Sequence, residues 1–191
     1  MGIHPVARGQ VVRPGPEWLA GYEDALARGW SPDTTHDISR VQLDRLRRDP
    51  STFFDEAFHS PMIRLPDGRE VPRLPAQDFL ISDGAFCGRI GLRFQPGTEE
   101  LPPHVLGHIG YAIVPWKQRR GYAKQALRMI LPVARALGLV RVKITCDDDN
   151  EGSIKVIRAN GGILSGEMEH GSTPPRRKLI FWVPTDAEGA G

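Results

Sequence analysis

The chain has 191 residues, of which 40% are hydrophobic and 25% are charged, and its formal net charge is +2. These values are typical of a globular domain with a buried core, and they exclude a fibrous or wholly disordered chain. The small positive charge comes without clustered basic residues interleaved with aromatic ones, so we expect no nucleic-acid partner.

The two cysteines, Cys87 and Cys146, lie in apolar runs typical of strands, so we expect neither a disulfide framework nor a zinc site. The six histidines show no metal-ligand spacing with them. The N-terminus has no signal-peptide pattern, and no apolar run is long enough to cross a bilayer. The sequence therefore predicts a cytoplasmic protein with no membrane partner and no metal.

The first 76 residues carry weak structural signals. Residues 1–16 contain three prolines and are predicted to be loosely held. Apolar residues at helical spacing predict two short amphipathic helices, one over 18–29 and one over 38–49. Prolines then interrupt the chain as far as residue 76, where only a small hairpin of Met62–Leu65 with Arg69–Val71 is expected.

From residue 78 onward, strand and helix patterns alternate in the centre of the chain and are flanked by hairpins. This order predicts a mixed α/β or α+β fold rather than a long doubly wound sheet. Pro132 is expected to weaken or kink the longest helix. The predicted strands are Phe79–Ile81, Phe86–Phe94, Gly107–Val114, Leu139–Cys146, Ile163–Met168 and Leu179–Val183, and the predicted helices are 122–137 and Ser153–Ala159.

The segment from Gln118 to Ala123 joins an apolar strand to a helix. Helix-opening amides have no intrahelical partner, and the helix dipole adds partial positive charge there, so such a loop binds phosphates. Gly121 lets the main chain approach a bulky anion, and basic side chains surround it. An ordinary strand–helix turn with a solvated basic rim is the alternative. The basic residues are Lys117, Arg119, Arg120 and Lys124.

In this order, the strand, loop, helix, second strand and the helix opened by Asn150 resemble the GCN5-related N-acetyltransferase (GNAT) family. Gln118, Gly121 and Ala123 match the family's loop pattern, and the resemblance covers about residues 78–183. The N-terminal segment resembles an uncharacterised bacterial branch of predicted acetyltransferases. The resemblance implies a mixed, mostly antiparallel sheet flanked by helices, in which two splayed parallel strands form the acetyl-CoA site.

The resemblance also implies an N-acetyltransferase that moves the acetyl group of acetyl-CoA to a primary amine by direct attack in a ternary complex. The acceptor is a small-molecule or peptide amine, and the chain is a possible homodimer. A longer acyl-CoA donor and a non-catalytic CoA-binding regulatory module are the alternatives. The implied CoA-binding residues are Ile113, Val114, Gln118, Arg119, Arg120, Gly121, Tyr122, Ala123, Lys124, Asn150 and Ser153.

Two residues are candidates for proton transfer. His108 stands where relatives often carry a carboxylate base, although a histidine at a strand start is also a common structural residue. Tyr111 is the candidate acid, because Ile157 occupies the position at which relatives often carry a proton-donating tyrosine. Tyr122 could donate a proton in the same way, and each tyrosine could equally pack as an aromatic wall. Ser153 and Cys146 are weaker candidates for the acid.

The domain boundaries follow from these patterns. Residues 1–76 are expected to form the acceptor side of the same domain, 77–184 the acetyl-CoA-binding core, and 185–191 a flexible tail. The acidic run 147–149 lacks the spacing of a calcium loop. We therefore expect it to be a solvated turn that attracts a cationic amine.

Overall fold

The computed structural model describes residues 9–65, 68–171 and 175–186. Within these ranges the chain forms five α-helices and nine β-strands. The helices are α1 (Leu19–Ala27), α2 (Ser39–Arg48), α3 (Phe53–His59), α4 (Tyr122–Ala136) and α5 (Glu151–Arg158). The strands are β1 (Gln10–Val12), β2 (Met62–Arg64), β3 (Glu70–Pro72), β4 (Ala76–Ser82), β5 (Phe86–Arg93), β6 (Ile109–Ile113), β7 (Arg141–Asp147), β8 (Ile163–His170) and β9 (Arg176–Pro184).

The strands form one four-stranded sheet in the order β1-β4-β5-β6 and one three-stranded sheet in the order β7-β9-β8. Every strand pair in both sheets is antiparallel. Strands β2 and β3 form the predicted separate hairpin. The predicted mixed, mostly antiparallel fold is therefore confirmed.

Two apolar cores lie on opposite faces of the four-stranded sheet, because successive strand residues point to opposite sides. Phe79 and Ile81 of β4 belong to the core that holds the buried faces of α4 and α5. Leu80, between them, belongs to the core formed with α1, α2 and α3. Tyr22 is fully buried there, within 5.5 Å of the ring centroids of Trp30, Phe53, Phe54 and Phe86.

Two elements were missed by the sequence prediction. Helix α3 forms in the proline-rich segment, where Phe53 and Phe58 are buried in the second core. Strand β1 pairs with β4 inside the segment expected to be loose. Both are short and gain their stability from tertiary packing, which local periodicity does not report.

Helix α4 spans Pro132 without interruption. Pro132 and Arg128, whose carbonyl loses its hydrogen bond to the proline, both lie on the exposed face. Solvent therefore satisfies the carbonyl that the proline leaves unpaired.

None of the helices in the described ranges is long and apolar enough to cross a membrane. Residues 1–8, Asp67 of the predicted hairpin turn and residues 187–191 of the predicted tail lie outside the described residues.

His108 joins the two sheets where β6 and β7 begin. Its amide donates to the carbonyl of Lys143 at 2.7 Å, and its ring Nδ1 accepts from the amide of Lys143 at 2.9 Å. Its own carbonyl accepts from Arg93 on β5 at 2.8 Å. Beyond this junction β6 and β7 belong to different sheets, so the two strands splay apart from a fixed point.

The His108 ring is fully buried, and burial lowers its pKa from 6.5 to about 4. The ring is therefore neutral at pH 7, with Nδ1 as the acceptor and the proton on Nε2. Nε2 has no hydrogen-bond partner among the described residues. Protonation of Nδ1 would abolish its bond to Lys143, so the junction requires the neutral ring.

This state makes stability depend on pH. Because the folded-state pKa lies below the unfolded value, the unfolded chain binds more protons between pH 6.5 and 4, and stability falls as the pH drops through that window. We expect His108 to contribute a loss of about 3 kcal/mol by pH 4. In His108→Asn, whose Oδ1 can still accept from Lys143, chemical denaturation from pH 7 to 4 should show a correspondingly flatter profile. Identical pH dependence in both proteins would contradict this role.

Candidate functional site

The splay of β6 from β7 opens a cleft of about 880 Å³. Strand β6 forms one wall, the end of β7 and the start of α5 form another, and the start of α4 closes one end. The loop between α1 and α2 also contributes to the lining. The lining residues are Gly29–Ser31, Asp33–Thr34, Ile109–Ile113, Pro115, Lys117–Arg119, Gly121–Lys124, Ile144–Asp147, Asp149–Ser153, Val156 and Lys178.

The segment 118–123, here called the phosphate loop, is shaped by two left-handed residues. Arg119 has φ of 60° and Gly121 has φ of 85°, the latter at the N-cap of α4. The Gln118 side chain donates to the carbonyl of Ile113 at 3.2 Å and so ties the loop to the end of β6. Within the described residues, the amides of 119–124 donate no hydrogen bond. They form a set of free donors at a helix N-terminus, where an anion is stabilised.

Asp83 holds this loop from behind. It lies in the turn between β4 and β5, accepts from Lys117 Nζ at 2.6 Å, and accepts a very short hydrogen bond from the hydroxyl of Tyr122. Lys117 is part of the 3₁₀ turn before the phosphate loop, and Tyr122 opens α4. Hydrogen bonds from Lys117 and Tyr122 outweigh partial burial and hold the pKa of Asp83 far below its usual range. The position of the loop therefore depends on one carboxylate from a distant turn.

The structure brings nine of the eleven predicted CoA-binding residues to the cleft. The exceptions are Val114 and Arg120. Val114 is fully buried, its amide donates to Cys87, and its carbonyl accepts from Lys117, so neither backbone group is free. The Tyr122 and Lys117 side chains are bound to Asp83, which leaves Arg119 and Lys124 as the lining cations of the predicted basic rim.

Tyr111 and Ser153 meet across the cleft, with Tyr111 Oη and Ser153 Oγ 2.7 Å apart. Tyr111 lies on β6 and Ser153 in the first turn of α5. Asn150 caps this helix by accepting from the amide of Ser153 at 3.0 Å, which fixes the serine. Burial raises the pKa of Tyr111 far above neutrality, so its hydroxyl carries a proton that it can donate.

Cys146, at the end of β7, also lines the cleft. It is 6% exposed, and burial is the main cause that raises its pKa. A thiol that stays protonated at neutral pH is a poor nucleophile. Its environment does not favour an acyl-enzyme intermediate.

Ile157 occupies the position at which relatives often carry a tyrosine. Its side chain is fully buried in the core with α4, not in the lining of the cleft. A Cβ on Gly162 would lie 2.3 Å from Ile157 Cγ2, so the two positions fit each other as a pair. Tyr111, which does line the cleft, lies on β6.

His108, the predicted base, is absent from the described lining of the cleft. Its Nδ1 is occupied by Lys143 and its ring is packed between the sheets. This placement matches the alternative interpretation of the sequence, in which the histidine is a structural residue. It does not match the role of a base that takes a proton from the acceptor. The signal in the sequence was ambiguous because a strand-start histidine is compatible with both roles.

The acidic run 147–149 is partly neutralised by ion pairs. Asp147 accepts from Lys178 and Arg176, and Asp148 accepts from Arg177 at 2.7 Å. Among the residues that the structure describes, no group of three or more acidic, histidine or cysteine side chains is arranged to hold a metal. The described lining also includes no residue of 50–76, and from the N-terminal 76 residues only the α1–α2 loop contributes to it.

Comparisons with known proteins agree with this geometry. A family model described as an acetyltransferase (GNAT) domain matches residues 54–163, more than half of the chain. RimJ of Mycobacterium smegmatis, solved with a CoA disulfide, is 20% identical with a TM-score of 0.62, covering 93% of this chain and 83% of its own. No curated protein matches the chain.

Two further solved structures are similar. RimL, a ribosomal L7/L12 α-N-protein acetyltransferase solved with coenzyme A, is 15% identical with a TM-score of 0.66 and covers 98% of both chains. The microcin C7 self-immunity acetyltransferase MccE, solved with acetyl-CoA and AMP, is 13% identical with a TM-score of 0.58, covering 93% of this chain and 92% of its own. At these identities the structures establish a shared fold. Together with the family match, they identify this chain as a member of the GNAT acetyltransferase family.

Proposed function

We propose that this protein transfers the acetyl group of acetyl-CoA to a primary amine by direct attack in a ternary complex. The observation that carries the proposal is the continuity of the cleft. Free amides at the phosphate loop mark one end, and the Tyr111–Ser153 pair lies on the wall between β6 and α5. RimL and MccE, with the same fold, were solved with coenzyme A and acetyl-CoA.

The pyrophosphate of the coenzyme is proposed to bind the amides of 119–124, with Arg119 and Lys124 adding charge. The pantetheine arm then lies between the splayed strands, beside Ile113 and Asn150. The thioester lies near Tyr111. This orientation leaves the end of the cleft at Trp30–Thr34 for the acceptor amine.

In the proposed reaction the neutral amine attacks the thioester carbonyl, the new C–N bond forms, and the C–S bond breaks. The leaving thiolate takes the proton of the Tyr111 hydroxyl, which is replenished through Ser153. The amine loses its proton to solvent through the open cleft. His108 acts as a positioning residue that fixes the splay and takes no proton.

We expect Tyr111→Phe to lower kcat about a hundredfold or more, because general acid catalysis contributes at least that much. Ser153→Ala should lower kcat about tenfold, since it removes one hydrogen bond from the proton donor. Ser165→Ala, on exposed β8, is the matched control and should leave turnover unchanged. The assay measures thiol release from acetyl-CoA and from longer acyl-CoA donors with a panel of peptide and small-molecule amines.

The panel also separates the alternatives. Faster release from a longer donor would replace acetyl transfer by acyl transfer at the same site. Binding of acetyl-CoA with no thiol release for any amine would favour a non-catalytic CoA-binding module. Wild-type kcat in Tyr111→Phe would contradict the assigned acid.

The anchor of the phosphate loop gives a separate prediction. Asp83→Asn removes the charge that holds Lys117 and weakens the bond to Tyr122, so we expect weaker CoA binding with little change in kcat at saturation. A tenfold rise in Kd corresponds to about 1.4 kcal/mol. Calorimetric titration with CoA measures it, and Asp44→Asn, exposed on α2, is the control. Unchanged CoA affinity in Asp83→Asn would contradict the role of Asp83 in holding the loop for coenzyme binding.

A further inference from the structure

A charged cluster lies on the face of the four-stranded sheet that carries α1 and α3. Arg89 on β5 donates to Asp78 on β4 at 2.6 Å, and their side chains are 21% and 5% exposed. Arg93 lies two residues further along β5, and Arg73 precedes β4 and donates to the carbonyl of Ala57 at 3.2 Å. Arg73, Arg89 and Arg93, together with Asp78, are called the arginine cluster below.

Two facing glycines bring the cluster to the cleft. Gly91 on β5 pairs directly with Gly110 on β6, so the sheet has no side chain at either position. A Cβ on Gly110 would lie 3.1 Å from a terminal nitrogen of Arg93, and a Cβ on Gly91 would lie 3.1 Å from one of Arg89. Gly110 itself lines the cleft, so Arg93 lies against a cleft-lining residue from the α1 side of the sheet, the face opposite the Tyr111 side chain.

Polar groups around the cluster lack partners. Arg89 Nε, the hydroxyl of Tyr22 and Nε1 of Trp30 are buried with no hydrogen-bond partner among the described residues. Tyr22 is 0% exposed and Trp30 is 4% exposed. Burial, ahead of the charges of Arg89 and Asp78, raises the pKa of Tyr22, so its hydroxyl remains a donor. Buried donors without acceptors are costly, and a ligand with acceptor oxygens would satisfy them.

The local net charge of the arginine cluster is positive. The single carboxylate inside the cluster, Asp78, is already paired with Arg89. The next one, Asp33 of the α1–α2 loop, accepts from both the amide and the hydroxyl of Thr35. Desolvation and the like charge of Arg89 lower the pKa of Arg73, which an anion bound beside it would reverse.

We propose that the arginine cluster binds a carboxylate of the acceptor, so that the preferred acceptor is an amine that also carries a carboxylate. Guanidinium groups match carboxylates with two parallel hydrogen bonds, which fixes orientation as well as affinity. The carboxylate belongs to a free α-amino acid or to an acidic residue near a peptide N-terminus. That the bound carboxylate belongs to the acceptor rests on the proposed function, whereas the anion subsite itself does not.

The subsite is tested by binding of acetylated products to the CoA-loaded protein, measured by calorimetry. N-acetylglycine is compared with N-acetylglycinamide for an α-carboxylate. An N-acetylated seryl-aspartyl dipeptide amide is compared with its seryl-asparaginyl form for a side-chain carboxylate. We expect the carboxylate to bind at least about tenfold more tightly in one pair, and that pair identifies the source.

Arg93→Gln is the informative variant, because Arg93 is exposed and its removal leaves the Arg89–Asp78 pair intact. We expect it to reduce the preference to within about twofold, with Arg93→Lys retaining part of it. Arg48→Gln, exposed at the end of α2, should leave the preference unchanged. Equal binding within both pairs, or a preference that persists in Arg93→Gln, would overturn the proposal.

Thiol release with the unacetylated forms of the same compounds separates the two claims. A lower KM for the carboxylate amine than for its amide form supports both acetyl transfer and the anion subsite. Tight binding of the carboxylate products with no thiol release from any amine contradicts the acetyl-transfer proposal and leaves the anion subsite supported. Turnover with equal KM for carboxylate and amide keeps acetyl transfer and overturns the subsite.

Discussion

The junction between His108 and Lys143 is the constraint on which the site depends. It fastens the starts of β6 and β7 with two hydrogen bonds, one through a backbone amide and one through a neutral ring. Since the strands separate beyond it into different sheets, the cleft opens between them from a fixed point. A hydrogen-bonded sheet continuing through this point would leave no space for a ligand between the strands. We therefore propose that the buried histidine serves function through geometry rather than proton transfer.

The phosphate loop is fixed by charge. Asp83 reaches from the β4–β5 turn to Lys117 and Tyr122, on either side of the phosphate loop, so the free amides of the loop are held in place before a ligand arrives. Preorganised donors cost no ordering entropy at the moment of binding. The Tyr111–Ser153 pair is preorganised in the same way, because Asn150 caps the first turn of α5 and fixes Ser153. Both devices join residues more than thirty positions apart in the sequence.

Local patterns in the sequence were sufficient for the central fold and for the position of the 118–123 loop between a strand and a helix. Gly121, the strand before it and the helix after it are contiguous, so periodicity and turn chemistry predicted them. Helix α3 and strand β1 were missed because packing on Tyr22 and pairing with β4 stabilise them. The role of Asp83 and the structural use of His108 depend on contacts with distant residues, which spacing cannot reveal. The arginine cluster was missed for the same reason, since its members are polar residues of separate segments that only the sheet aligns.

The central claim is that the phosphate loop binds the coenzyme, and thermal unfolding with and without acetyl-CoA tests it most directly. Gly121→Glu places a carboxylate among the free amides, and Gly138→Glu is its matched control, because Gly138 has a similar φ of 88° and open space at the other end of α4. At about a hundred times its Kd, acetyl-CoA should stabilise the wild type and Gly138→Glu by about 2.7 kcal/mol and leave folded Gly121→Glu unchanged. Equal stabilisation of all three, or no stabilisation of the wild type, would contradict the account.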